Sequence, residues 1–198
     1  MHYALDRTNL SPEGTIAIYQ IDARASTFKV RAFATGLLSA FGHSPTIRIG
    51  EFSGTAEINP DNLESASLLL RIKAASLTVA DDISDKDRGE IQRQMYGDVL
   101  EVDTYPEIIF ECRKTTIPGS ANGPLSVSLE GQLTLHGVTQ AQLISARVNL
   151  MGATMRASGE FSVSQSAFGI KAVAAPGGTI RLKDELKATF DIVARKQA

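Results

Sequence analysis

From residue 125 to residue 135 the chain alternates without interruption. Leu125, Val127, Leu129, Gly131, Leu133 and Leu135 fall on one side, and Ser126, Ser128, Glu130, Gln132 and Thr134 on the other. A helix would scatter those apolar positions around its circumference, whereas a strand places all of them on one face. The segment therefore reads as a long β-strand with one dry face and one wet face. The dry face cannot be buried by the strand itself, so whatever fold this chain adopts must supply partners for it.

The same period of two recurs along the chain. Residues 27–33 set Phe28, Val30 and Ala32 against Lys29, Arg31 and Phe33; residues 46–52 set Ile47 and Ile49 against Arg48 and Gly50; residues 55–58 add Ala56 and Ile58. Residues 65–73 carry Ala66, Leu68, Leu70 and Ile72 on one face, and residues 107–114 carry Ile108, Phe110 and Cys112. Residues 142–150, 154–163 and 186–194 continue with Ile144, Ala146 and Val148, then Met155, Ala157, Gly159 and Phe161, then Leu186, Ala188, Phe190 and Ile192. Between them stand turn formers: Asn59-Pro60-Asp61-Asn62, a hairpin loop at 119–124 and the breaker cluster Ala174-Ala175-Pro176-Gly177-Gly178.

One stretch departs from that period. In residues 84–96, Ile91 and Met95 lie four apart among charged and amide side chains, which predicts a short amphipathic helix ended by Gly97-Asp98. Asp81, Asp82, Asp85 and Asp87 cluster at its start, where acids suit the positive end of the helix dipole.

Many one-faced strands and one helix predict an all-β fold: a closed or nearly closed antiparallel barrel of about eight strands with one short inserted helix. Closure hides every dry face and removes the exposed edges. The expected organisation is a single domain over 1–198, with its core at about 17–195, and 198 residues at 43% apolar can bury such a core without disulfides or metal. Cys112, the lone cysteine, reads as a small buried hydrophobe. Twenty basic residues against twenty-two acidic give a net charge of −2, which argues against a nucleic-acid partner.

Residues 32–47 are free of charge but interrupted by Thr35, Gly36, Ser39, Gly42, His43, Ser44 and Pro45, so no transmembrane segment is expected. An acid near the N-terminus, Asp6, and no following apolar run of signal-peptide length predict a cytoplasmic location; a longer native N-terminus would point to the periplasm instead.

An eight-stranded barrel is solid or hollow according to the bulk of its inward side chains. Here the inward positions include Ala32, Ala56, Ala66, Ala146, Ala157, Gly131, Gly159 and Ala188, with no Trp and only 6% aromatics. Either these small residues leave an elongated apolar cavity, or they merely let the helix pack closely. By alternation, the candidate cavity lining is Phe28, Val30, Ile47, Ile49, Leu68, Leu70, Ile108, Phe110, Leu129, Leu133, Phe161 and Phe190, with His43 at the mouth.

Short motifs in a fixed order then carry a resemblance. They are Tyr19-Gln20-Ile21-Asp22, Ser26-Thr27-Phe28-Lys29-Val30, Gly50-Glu51-Phe52-Ser53-Gly54, Lys86-Asp87-Arg88, Tyr105-Pro106-Glu107-Ile108-Ile109-Phe110, Leu133-Thr134-Leu135-His136-Gly137-Val138-Thr139 and Ser166-Ala167-Phe168-Gly169-Ile170. In wording and order the chain resembles the YceI-like family of lipid-binding proteins. The resemblance implies a lipocalin-like barrel that takes a polyisoprenoid or similar long-chain amphiphilic lipid, without chemistry on it and without a cofactor, a quinone-like lipid being one such guest. Phe41-Gly42-His43-Ser44-Pro45 departs from the family's wording.

Two other readings stand beside it. His43, His136, Ser44, Ser166 and the acids at 81–87 supply residue types for a barrel enzyme or metal-dependent protein, although no Gly-x-Ser-x-Gly, His-Glu-x-x-His or phosphate loop accompanies them. His136, before a glycine at a strand end, reads more simply as a hydrogen-bonded turn residue. A stress or interaction protein with a solid core is the third reading, and whether two barrels pair as a homodimer is open.

Overall fold

The alternating segments become strands in the computed structural model, which describes residues 15–35, 44–118, 124–171 and 181–197. In chain order the strands are β1 (Ala17–Ile21), β2 (Thr27–Arg31), β3 (Ala34–Thr35), β4 (Thr46–Ile49), β5 (Phe52–Asn59), β6 (Asn62–Lys73) and β7 (Leu77–Val79). After the helix α1 (Asp85–Gln94) come β8 (Glu107–Thr116), β9 (Leu125–Leu135), β10 (Val138–Met151), β11 (Thr154–Ser164), β12 (Arg181–Leu182) and β13 (Glu185–Lys196).

The sheet closes on itself. Antiparallel neighbours run β1-β5-β6-β8-β9-β10-β11-β13, and β13 then pairs with β1, giving an eight-stranded barrel of the lipocalin-like kind. Strand β13 does so by serving two partners in turn. Its first half pairs with β2, Phe190 opposite Phe28, and its last residues pair with β1, Ala194 opposite Ile21. Between β1 and β2 the chain bends through a 3₁₀ turn at Ala23–Ala25, where the Asp22 carboxylate accepts from the amides of Arg24 and Ala25 and from the Arg195 guanidinium.

Two neighbouring strand pairs break at the same level. Gly50 and Glu51 separate β4 from β5, and Ala74–Ser76 separate β6 from β7. The amide of Gly50 donates to the carbonyl of Ser76 at 3.1 Å, and that of Lys73 to the carbonyl of Glu51, so the two bends are tied together. Phe52, which the alternation joins to residues 46–51, therefore starts a new strand. Past the bends, β2, β4 and β7 form a short flap that β8 does not reach.

The free edge of that flap is covered by side chains of the helix. Gln92 donates to the carbonyl of Leu77 and accepts from the amide of Val79, Arg88 donates to the carbonyl of Val79, and the Tyr96 hydroxyl donates to Ala75 and Leu77. An exposed strand edge invites pairing with another chain, and here the helix occupies it. Ser84 caps α1 by accepting from the amide of Asp87.

The helix does not end at Gly97-Asp98 as expected. It widens into a π-turn over Met95–Val99, closed by the amide of Leu100 donating to the carbonyl of Met95 at 2.9 Å. The reason is packing: Met95 and Leu100 are both buried, and the extra residue in the turn brings both onto the barrel.

The β9–β10 turn is tight and left-handed. His136 and Gly137 have φ of 51° and 71°, as a type I′ hairpin turn requires. At the C-terminal end of β11, the Asp184 carboxylate accepts from the hydroxyls of Ser164 and Ser166 and from the amide of Ser166. These bonds, that from Ser164 foremost, hold its carboxyl below the usual range; Arg156 does the same for Asp191 and Arg195 for Asp22.

Two outcomes are expected. Gly137→Ala should lower the urea midpoint by an amount equivalent to about 1–3 kcal/mol, because φ is positive there and a Cβ would lie 2.6 Å from the Tyr105 ring. A carboxylate whose folded-state pKa is depressed stabilises above its unfolded pKa and loses that contribution as pH falls through the folded value. Asp184→Asn should therefore be less stable than the wild type at pH 7, with the gap closing below about pH 4 in urea titrations; a gap independent of pH would refute this.

Candidate functional site

Every barrel strand turns one face to the axis, and the space those faces enclose is not filled. A cavity of about 250 Å³ runs along the barrel. Its wall reaches from Leu135, Val99, Leu100, Gln165 and Ile170 at the helix end to Ile58, Leu63, Ile117, Leu125 and Leu150 at the opposite end. The burial pattern carries the same information: Leu68, Leu70, Val127, Leu129, Ala157 and Phe161 face inward yet remain only half-buried, because they border a void.

Of the residues singled out by alternation, Phe28, Val30, Ile49, Leu68, Leu70, Ile108, Phe110, Leu129, Leu133, Phe161 and Phe190 stand in the cavity wall. Ile47 does not. It is buried in the flap, opposite Val30 and Val79 in register, and forms no part of the cavity wall. His43 lies outside the described residues.

The small inward residues play two different parts. Ala56, Ala66, Ala146, Ala157 and Ala188 border the cavity, as expected of residues that leave room. Gly131 and Gly159 do not leave room, since rings lie across them: an added Cβ would meet Phe110 at 2.5 Å on the first and Phe190 at 2.8 Å on the second. An aromatic ring folded over a cross-strand glycine covers its bare backbone. Phe190 also meets Phe28 and Phe161 near the edge-to-face range, at centroid distances of 6.2 and 6.4 Å, and Phe28 meets Phe52 at 6.1 Å. These rings form a stiff aromatic wall on one side of the cavity.

The lining carries no charged side chain, and its polar members are Ser67, Thr115 and Gln165. Thr115 points inward because the β8–β9 pairing slips between Cys112 and Lys114, so the inward parity shifts from even to odd residues; its hydroxyl donates to the Leu63 carbonyl at 2.8 Å. Gln165 continues the inward parity of Met155, Ala157, Gly159, Phe161 and Val163 just past the end of β11. That parity was the signal for it, and strand alternation read only as far as Val163 missed it. Cys112 is 1% exposed and burial pushes its thiol pKa up, which makes it inert packing.

His136 is held by structure on both ring nitrogens. Nδ1 faces the Phe168 carbonyl at 3.2 Å, Nε2 faces the Glu101 carboxylate at 3.1 Å, and the ring lies against Tyr105. The residue ties the β9–β10 turn to the segment after the helix and to the one after β11. Among the described residues, no group of three His, Cys, Asp or Glu comes together to hold a metal. No helix among them is long and apolar enough to cross a membrane.

At the end away from the helix the rim is oily. Ile16, just before β1, is 56% exposed, and Leu150 and Met151 on the β10–β11 hairpin are 39% and 54% exposed.

Comparison with known proteins agrees with this architecture. The family model described as YceI-like domain matches residues 19–194. BcnA of Burkholderia cenocepacia is similar in structure with a TM-score of 0.68 at 20% identity, covering 87% of this chain and 98% of that one. A polyisoprenoid binding domain from Saccharophagus degradans, implicated in plant cell wall breakdown, gives 0.65 at 14% identity, covering 90% and 98%. The YceI protein of Campylobacter jejuni gives 0.58 at 16%, covering 77% and 85%. A comparison with curated protein sequences found no match.

A packed interior and a hollow one respond oppositely to added bulk. Overpacking a filled core costs about 1–3 kcal/mol, whereas Ala157→Leu in this barrel should leave the thermal midpoint unchanged or raise it, since the new methyls enter the void. A fall of several degrees in differential scanning calorimetry would show that the interior has no room at that position.

Proposed function

Because the chain belongs to the YceI-like family, we propose that its barrel binds a long-chain isoprenoid lipid or similar amphiphile and carries or sequesters it without transforming it. The observation that supports this most is the continuous cavity, walled by apolar side chains from one end of the barrel to the other. The resemblance in fold to a domain described as polyisoprenoid binding points the same way.

The energetics are adequate. Each methylene moved from water into such a wall gains about 0.8 kcal/mol, and a tail of tens of carbons exceeds the roughly 4–15 kcal/mol lost in association even after its own ordering is subtracted. Strand β9 alone extends roughly 35 Å at about 3.3 Å per residue, or about 25 Å of barrel height once tilted. A compact head-first ligand would leave most of that length unused; a linear chain would use it.

A barrel that evolved around a guest should retain some of it. Native mass spectrometry of protein purified without detergent is expected to show a bound lipid of isoprenoid or fatty mass, and adding a long-chain isoprenoid to stripped protein should raise the thermal midpoint in proportion to the logarithm of its concentration. No co-purified lipid together with no thermal shift would sink the carrier reading.

A further inference from the structure

The cavity wall is almost wholly apolar, and near its helix end one side-chain amide borders it. Gln165 is 3% exposed. Its side-chain Nε2 donates to the carbonyls of Lys183 at 3.0 Å and Asp184 at 3.4 Å, which fixes the orientation of the amide. Nε2 thereby has its acceptors, and Oε1 is left with no hydrogen-bond donor among the described residues. The oxygen is not sealed away, since no buried side-chain oxygen or nitrogen among the described residues lacks a partner, and the residue borders the cavity.

The mounting is rigid. The Gln165 amide donates to the Asp184 carbonyl, and its own carbonyl accepts from the amides of Phe168 and Ile170, two residues that are themselves 2% and 4% exposed. An acceptor held this firmly in an apolar wall cannot swing out to find a donor. A buried water is a poor substitute, because it needs two or more polar partners. The other polar members of the wall, Ser67 and Thr115, belong to β6 and β8, where their hydroxyls donate to the Glu57 carboxylate at 3.5 Å and to the Leu63 carbonyl at 2.8 Å.

We infer that Gln165 is the head-group residue of this cavity: its Oε1 accepts a hydrogen bond from the polar end of the guest, and the guest is a long-chain amphiphile whose head carries a donor, such as an alcohol. This rests on the lipid-binding reading and narrows it. A quinone, ketone or ether head brings a second acceptor to Oε1 and leaves it unsatisfied, whereas an alcohol or a hydroquinone satisfies it. Selection against the wrong head follows from the asymmetry of hydrogen bonding, in which leaving a buried acceptor unmatched costs more than the bond itself gains.

The test compares geranylgeraniol with its methyl ether, which keeps the tail and the oxygen and removes only the donor. Binding is measured by competition with a fluorescent fatty probe on the full chain. Wild-type protein should bind the alcohol about tenfold or more tightly than the ether. Gln165→Met, which keeps length and removes the acceptor, should lose the preference for the alcohol and bind the ether at least as tightly as the wild type does. In the wild type, the Gln165 side-chain amide resonance should shift on adding the alcohol and not on adding the ether, a readout that does not require the variant to fold. Equal affinity of the wild type for the two compounds, a preference that survives Gln165→Met, or an amide resonance indifferent to the alcohol would each overturn the head-group assignment while leaving lipid binding intact. Failure of the wild type to bind either compound would instead overturn the lipid reading, and the assignment with it.

Discussion

The double pairing of β13 makes the rest of the structure possible. A sheet of seven long strands with one dry face each would leave two open edges and an oily surface on one side. By pairing first with β2 and then, beyond the bend at Asp22, with β1, the last strand joins the ends of the sheet and turns every dry face toward one axis. The bend is held by the Asp22 carboxylate, which links Arg195 on β13 to the amides of the 3₁₀ turn. Closure of the barrel, the inward parity of each strand and the position of the cavity all follow from that geometry.

Closure also explains why the barrel is hollow and not merely round. Eight tilted strands set a fixed bore, and side chains of modest size cannot span it. Where the chain could have been bulky it is not: alanines stand at 56, 66, 146, 157 and 188 along the wall. Side chains that border an unfilled space lack the contacts that close packing would give them. Under the proposed lipid-binding reading an apolar guest would supply those contacts, so binding and restored packing would be the same event seen from two sides.

The parts legible in the sequence are those governed by local alternation. Leu125–Leu135 was recognisable as a strand from its pattern alone, and with it nearly all of the inward positions, because parity on a strand needs no knowledge of its neighbours. What escaped is what depends on partners. The slip between Cys112 and Lys114 flips parity and turns Thr115 inward, which only the pairing with β9 determines. The π-turn at Met95–Val99 answers to the packing of Leu100, and the rings over Gly131 and Gly159 answer to the register of the neighbouring strands β8 and β13. Ile47 carried the right parity but belongs to the flap, a distinction created by the bend at Gly50. Gln165 was one step beyond a correctly read strand, and a polar residue on a dry face is the departure from pattern that marks a site.

The two ends of the barrel differ in polarity and in how firmly their side chains are held. At the helix end the lining is pinned from several directions: His136 bridges Phe168 and Glu101, Asp184 gathers Ser164 and Ser166, and Gln165 is fixed by five hydrogen bonds to backbone groups, two of them from its side chain. At the far end the rim is apolar and exposed at Leu150 and Met151. Burial along the wall is indifferent to where a methylene lies, so it rewards length without choosing a head group. A rigid acceptor does the reverse, since it contributes one bond and rejects heads that cannot make it. If the barrel takes a lipid as proposed, affinity from the tube and selectivity from one amide are separable quantities, and each can change in the course of sequence variation without disturbing the other.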